Sequence, residues 1–162
     1  MPHAIPTERK IETGDIITID FGCKYNGYCS DMTRTIFVDY VQDYIKPIYE
    51  LVLKNQQLTL KELYDGANVK VLSRMVENDF KVNRFELVHA LGHGVGLDVH
   101  EEPVLSPRTG DFILRENMVI TDEPGIYITG KFGVRIEDTV VITKQGAKGL
   151  TNSSKDYVII KG

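Results

Sequence analysis

The sequence predicts an α+β protein with a mostly antiparallel sheet, on three observations. A β-rich hairpin fills residues 14–40, the hydrophobic period turns helical between Asp43 and Asp79, and β-rich runs return from residue 118. Strands, then helices, then strands argue against alternating βαβ units and the parallel sheet they build. The chain has 162 residues, enough for one domain with a core of its own, and residues 1–162 are read as a single domain with no separate second one.

The hairpin is the clearest element. In GDIITIDFGCKYNGYCSDMTRTIFVDY, two β-rich runs flank Asn26-Gly27, the favoured pair for a two-residue turn. That turn pairs Tyr25 with Tyr28, sets Asp20 opposite Thr33 and sets Gly22 opposite Asp31. Strand alternation then gathers Thr18, Asp20, Gly22, Asp31, Thr33 and Thr35 on one face. The other face carries Ile17, Ile19, Phe21, Cys23, Met32 and Ile36, with Arg34 as its one charge. Asp20 and Asp31 are diagonal neighbours, ~7–8 Å apart at the backbone, so their carboxylates can reach one small site.

From Asp43 to about Leu63, Ile45, Ile48, Val52 and Leu58 approximate helical spacing, and Pro47 suits only the first turn. A second helix is expected over Ala67 to Asp79, with Val71 and Met75 inward. NRFELVHALGHGVGL turns extended and glycine-rich. MVITDEPGIYI and GVRIEDTVVIT read as two strands joined by a loop centred on Thr129, Gly130 and Lys131.

Composition narrows the partners. Hydrophobic residues make up 42% and charged residues 26%, which marks a folded chain rather than a disordered one. A net charge of −4 gives no reason to expect nucleic acid or an anionic membrane as partner. The longest apolar runs are far below a membrane span, and the opening MPHAIPTERK has no apolar stretch of signal-peptide length. Cys23 and Cys29 make no disulfide framework, so a cytoplasmic location is expected.

The chemistry gathers around HALGHGVGLDVHEEP, which holds three of the chain's four histidines. Four strand carboxylates, Asp20, Asp31, Glu123 and Glu137, sit where a core is normally apolar. Buried and unpaired, each demands a cation or a proton. With one imidazole they make a donor set for a pair of divalent ions such as Mn²⁺, Co²⁺, Fe²⁺ or Zn²⁺. Two adjacent ions can hold a bridging hydroxide and polarise a peptide carbonyl. Ala90 stands where a zinc-protease helix needs its glutamate, and Gly92, Gly94 and Gly96 argue against any helix there.

The segments TIDFGCKYNGYCSDMTRT, HALGHGVGLDVHEEP, ITDEPGIYI and GVRIEDTVVIT, in this order, resemble the metal-site motifs of the pita-bread metallopeptidases. That family includes Xaa-Pro aminopeptidases, proline dipeptidases (prolidases) and methionine aminopeptidases. The resemblance runs from His3 to about residue 144. It implies a pita-bread fold, a curved and mostly antiparallel sheet with covering helices. It also implies Asp20, Asp31, His93, Glu123 and Glu137 as ligands of two divalent ions. Asp31 and Glu137 would bridge the ions, Asp20 would complete one shell, and His93 with Glu123 the other. Glu123 would double as proton shuttle. His3, in MPHAIPT, matches a site histidine, His100 one that bonds the substrate or the oxyanion, and His89 one seen in the proline-specific branch. Structural packing is the other reading of His89. Arg135 shares a strand face with Glu137 and is read as a partner of a ligand carboxylate. Tyr127 either lines the substrate pocket or packs. Asp138 faces the other way and is read as structural. Asp122 stands where the family more often has an apolar residue.

PHAIPT, GHGVGLDVHE, EPGIYI and RIED favour the proline-directed branch, hence hydrolysis of Xaa-Pro bonds at the N-terminus of peptides or in dipeptides. A methionine aminopeptidase is the alternative within the family. An inactive pita-bread binding module is the alternative outside catalysis. The resemblance further implies helices and a strand ahead of His3, so the first half-fold is expected to be incomplete. The hairpin face of Ile17, Ile19, Phe21, Met32 and Ile36 is then expected to lack its helical cover. It should self-associate as a homo-oligomer or take up a complementing N-terminal segment.

Overall fold

The computed structural model describes residues 2, 3 and 5–162; Met1 and Ala4 of the MPHAIPT segment lie outside the described residues. Strands β1 (Ile16–Phe21), β2 (Lys24–Tyr25), β3 (Tyr28–Cys29) and β4 (Met32–Val38) form the expected hairpin. Tyr25 pairs with Tyr28 and Asp20 with Thr33. Asn26 and Gly27 take φ of 48° and 89°, both left-handed, as a type I′ turn requires.

Helices α1 (Lys46–Glu62) and α2 (Val69–Val82) follow. Pro47 sits in the first turn of α1, and the Asn68 side chain caps α2 by accepting the N–H groups of Lys70 and Val71. The inward faces differ from the expected ones. Leu58 and Val71 face solvent, Val71 being 65% exposed. The buried stripe of α2 is Val69, Leu72, Val76 and Phe80, and α1 buries Tyr49 and Val52 beside the polar Asn55, Gln56 and Thr59. Met75 packs against the core as expected. Polar residues on the inner face of α1 hid its true stripe.

The remaining strands are β5 (Gly92–Gly94), β6 (Glu101–Leu105), β7 (Val119–Asp122), β8 (Gly125–Ile128), β9 (Phe132–Arg135), β10 (Asp138–Thr143), β11 (Gly146–Gly149) and β12 (Val158–Ile160). Each of the two long runs read as one strand is therefore two. The first breaks at Glu123-Pro124, the second at Ile136-Glu137. Beyond each break the chain changes partner: β7 and β10 pair within the five-stranded sheet β11-β10-β7-β5-β6, whereas β8 and β9 make a separate hairpin. Strand pairing is antiparallel except where β12 joins β4 in parallel to give the sheet β1-β4-β12. The fold is α+β as predicted.

The core lies between the two helices and the strands they cover, with Phe37, Ile45, Leu63, Phe80, Leu91, Ile120 and Ile136 inaccessible. The hairpin meets this body through its hydroxyl-and-acid face. Thr35 Oγ1 donates to Arg135 O at 3.0 Å and Thr18 Oγ1 to Gly133 O at 3.1 Å. The opposite, apolar face is exposed in part, with Ile19 38% and Phe21 52% exposed. Arg34, the one charge on that face, is nevertheless buried, because it reaches Asp138 at 2.7 Å under the carbonyls of Ser153 and Ser154. Asp138, also 2.5 Å from Lys155 Nζ, is tied up in these ion pairs.

Candidate metal centre

The acidic and imidazole side chains of the site are delivered by strands and by the breaks between them. Asp20 comes from β1, Asp31 from the turn into β4, His93 from β5, Glu123 from the break after β7 and Glu137 from the break before β10. The joint between hairpin and body is an antiparallel bridge of Thr33 with Glu137, closed by Glu137 N–H donating to Thr33 O at 3.1 Å. That bridge brings the acids of the hairpin to those of the body.

Among the described residues the donor atoms fall into three overlapping clusters, one of which joins Asp31, His93 and His100; the other two share a carboxylate. Asp20, Asp31 and Glu137 offer atoms within 4.8 Å of one another, as do His93, Glu123 and Glu137, so Glu137 belongs to both. His93 Nε2 lies 3.4 Å from Glu123 Oε1 and 3.6 Å from Asp31 Oδ2. Its other nitrogen, Nδ1, contacts Gly94 O at 2.9 Å and so carries the proton, which leaves the Nε2 lone pair turned toward the acids. All five predicted ligand residues thus converge. Burial, and after it the charge of Asp20, pushes the Asp31 carboxyl up to about 6. Burial also raises Glu123, against the pull of Arg135, and raises Glu137, with the charge of Glu123 adding to it. Acids held this close without a counter-charge bind protons, and divalent cations are the other charge that fits such an oxygen-rich set with one nitrogen.

Arg135 is the hub of the surrounding network. Its Nη2 donates to Asp20 Oδ2 at 2.6 Å, its Nε to Thr33 Oγ1 at 3.0 Å, and its Nη1 to Tyr127 Oη at 2.8 Å and to Pro2 O at 3.2 Å. The carboxylate it bonds is Asp20 of the hairpin rather than Glu137, from which the break at Ile136 separates it. Tyr127 Oη accepts from Arg135, so its own proton points to His89 Nε2 at 3.0 Å. His89 Nδ1 faces Ala90 O at 2.6 Å, and burial holds this imidazole down at about 4, hence neutral. Both its nitrogens are engaged. Tyr127, its hydroxyl driven up to about 12 by burial, braces Arg135 and His89.

Beside the clusters opens a cavity of about 410 Å³, lined by His3, His89, His93, His100, Glu123 and Arg135 among others. The His100 ring stands 4.4 Å from that of His93, centroid to centroid. All four histidines of the chain border this space. The glycines around His93 have a packing reason. A Cβ on Gly92 would lie 2.0 Å from Thr121 O, and one on Gly94 would lie 2.3 Å from Glu102 O, so β5 threads between its neighbours only without side chains there.

Two residues of the site went unnoticed in the sequence. Thr33 Oγ1 donates to Glu137 Oε2 at 2.5 Å, and Thr121 Oγ1 donates to Glu123 Oε1 at 3.2 Å. Their signal was positional: Thr33 lies opposite Asp20 and two residues after Asp31, and Thr121 lies two residues before Glu123.

Residues 1–144 match the model of metallopeptidase family M24. The chain is 43% identical over 160 residues to an Xaa-Pro dipeptidase of Pyrococcus furiosus, covering 98% of this chain and 46% of that protein. The crystal structure of a prolidase from Thermococcus sibiricus superposes with a TM-score of 0.94 at 40% identity, over 98% of this chain and 44% of that one. An X-Pro aminopeptidase from Thermotoga maritima gives a TM-score of 0.94 at 39% identity, over 99% and 45%. The chain thus spans about half the length of the curated relatives it matches. With the family model matched over residues 1–144 and the motif residues gathered at one centre, the chain belongs to metallopeptidase family M24.

Proposed function

We propose that the protein hydrolyses Xaa-Pro peptide bonds, in dipeptides or at the N-terminus of peptides, with two divalent metal ions held by Asp20, Asp31, His93, Glu123 and Glu137. The observation that carries this is the pair of donor clusters sharing Glu137 beside a cavity bordered by the other three histidines. Two clusters with a common carboxylate suit two ions rather than one, and oxygen donors with a single imidazole suit Mn²⁺ first, with Co²⁺, Fe²⁺ and Zn²⁺ as chemical neighbours. The names dipeptidase, prolidase and X-Pro aminopeptidase, borne by similar proteins, support the Xaa-Pro bond as target. Free Cys23 and Cys29 support a cytoplasmic place of action, and among the described residues no helix is long and apolar enough to cross a membrane.

Divalent ions bound here would lower the pKa of the attacking water and polarise the scissile carbonyl. The remaining work falls to side chains of this chain. Glu123 takes a proton from the water as its oxygen adds to the carbonyl carbon. It returns that proton to the prolyl nitrogen as the C–N bond breaks, so the proton count closes. His100 stands to donate to the carbonyl oxygen as that oxygen gains charge. His3 and the neutral His89 border the cavity where the peptide would lie. Arg135 holds Asp20 in place through its 2.6 Å bond.

The test is Glu123→Gln in the full chain, assayed on an Xaa-Pro dipeptide and on a longer Xaa-Pro peptide, beside elemental analysis after Mn²⁺ or Co²⁺ loading. Two ions per chain are expected, with kcat in the variant down by at least ~10²-fold. No ion retained at saturating metal removes the centre, and near-normal turnover removes Glu123 from the mechanism. Faster cleavage of Met-Gly substrates moves the protein to the methionine branch.

A further inference from the structure

We propose that Thr33 and Thr121 are positioning residues of the metal centre, each using its single hydroxyl proton to hold one ligand carboxylate, Glu137 and Glu123 respectively, in its coordinating orientation. This rests on the ligand assignment above. A threonine hydroxyl has one proton to give and lone pairs to receive with. At both sites a group that can only donate occupies the receiving side. Arg135 Nε donates to Thr33 Oγ1 at 3.0 Å, and the His93 backbone N–H donates to Thr121 Oγ1 at 3.0 Å. The proton of each hydroxyl is thereby directed to the carboxylate, Glu137 Oε2 at 2.5 Å and Glu123 Oε1 at 3.2 Å. Both threonines are fully buried, so water does not compete for these bonds. A carboxylate oxygen has two lone-pair directions, so the hydroxyl takes one and leaves the other for a cation.

Placement on the strands strengthens the case. Thr33 is paired with Asp20 on one side, bridged to Glu137 on the other, and two residues from Asp31 on its own strand face. Thr121 binds the backbone of His93 across the sheet and precedes Glu123 by two residues on the same face. Between them the two hydroxyls bond the Glu137 and Glu123 side chains and the His93 backbone, and Thr33 reaches Asp20 through Arg135. Thr33 also joins Arg135 to Glu137, so the guanidinium that holds Asp20 holds Glu137 through one hydroxyl. Thr121 likewise makes a ligand on β5 and a ligand after β7 share one oxygen atom.

The experiment compares Thr33→Val, Thr33→Ser, Thr121→Val and Thr121→Ser in the full chain. Co²⁺ binding is followed by calorimetry and by the visible absorption of the bound ion, with thermal unfolding of the metal-free protein alongside. Loss of a group that orients a ligand typically costs 10–100-fold in metal affinity. The valine variants are expected to lose about that much and to show an altered Co²⁺ spectrum. The serine variants, which keep the hydroxyl, are expected within about threefold of the parent. A role in packing alone would lower the unfolding temperature of the metal-free protein and leave affinity and spectrum unmoved; that result overturns the proposal. If a valine variant does not fold, Thr→Ala takes its place and is read in the same way. A serine variant that binds as poorly as valine also overturns it. Failure of the parent protein to bind Co²⁺ at all removes the ligand assignment, and this proposal with it. Normal binding by the parent and by every variant removes the threonines alone.

Discussion

Asp122 is fully buried, and neither of its oxygens has a hydrogen-bond partner among the described residues. It faces Asp138 across β7 and β10, and Asp138 already holds the nearby cations, Arg34 at 2.7 Å and Lys155 at 2.5 Å. Burial first, then the charge of Asp138, keeps the Asp122 carboxyl well above the usual carboxylate range. A buried polar group without a partner costs about 1–3 kcal/mol. Asp122→Val, which suits a buried strand, is therefore expected to stabilise the protein by about that amount at pH 7, read from urea unfolding. The pH dependence has a definite sign. A carboxyl whose folded pKa is raised contributes most below its unfolded pKa of about 3.9, and that contribution is lost as pH rises toward the folded value. Removing it should help more at pH 8 than at pH 4. A variant less stable than the parent at both pH values would show that the carboxyl has a partner which valine lacks.

Strand β5 is the element on which the site turns, because it carries His93 between two tight neighbours. Gly92→Ala would set a Cβ 2.0 Å from the Thr121 carbonyl oxygen. Backbone must move, and it moves His93 with it. The expected loss is about 1–3 kcal/mol of stability, the usual range for overpacking, while Gly110→Ala, with nothing within 4 Å, should fall inside about 0.5 kcal/mol. Equal unfolding midpoints for the two would remove the close-approach argument. Elements differed in how plainly the sequence announced them. The Asn26-Gly27 turn set the register of β1 with β4, since a two-residue turn leaves no freedom of alignment. The breaks at Glu123-Pro124 and Ile136-Glu137 were hidden, because apolar alternation runs on through them and the change of partner is a tertiary event. The parallel pairing of β12 with β4 was hidden for the same reason, as its two strands lie more than 100 residues apart. Within the site, histidine and strand acids stood out as residues a core avoids. Thr33 and Thr121 did not, because threonine is an ordinary strand residue.

At the scale of the molecule, the sheet β1-β4-β12 keeps apolar side chains exposed on its outer face beside the buried Arg34 and Val38. Helix α1 packs on β7, β8, β9 and β11 and meets β4 where Tyr49 packs against Phe37, and α2 packs on β6. On the outer face lie Ile19 and Phe21, 38% and 52% exposed, with Val158 and Ile160 each at 37%. They are continuous, because Val158 pairs with Ile36 on the same side as Ile19 and Phe21. Full burial of a large apolar side chain stabilises by about 1.5–3 kcal/mol relative to exposure, and several such side chains side by side exceed the scatter normal for a surface. The strands at either side of this sheet, β1 and β12, add unpaired backbone groups that can accept a further strand. The 162-residue chain expressed alone is therefore expected to self-associate at micromolar concentration through this face, seen as a mass above that of one chain in light scattering coupled to size exclusion. Ile19→Lys combined with Val158→Lys should shift it toward the monomer, because two desolvated ammonium groups cost more than the face can return. The substitutions lie outside the donor clusters, so Co²⁺ binding serves as the check that the fold survives. A parent chain that stays monomeric at the highest soluble concentration would show that the apolar face is tolerated by water and that nothing need cover it.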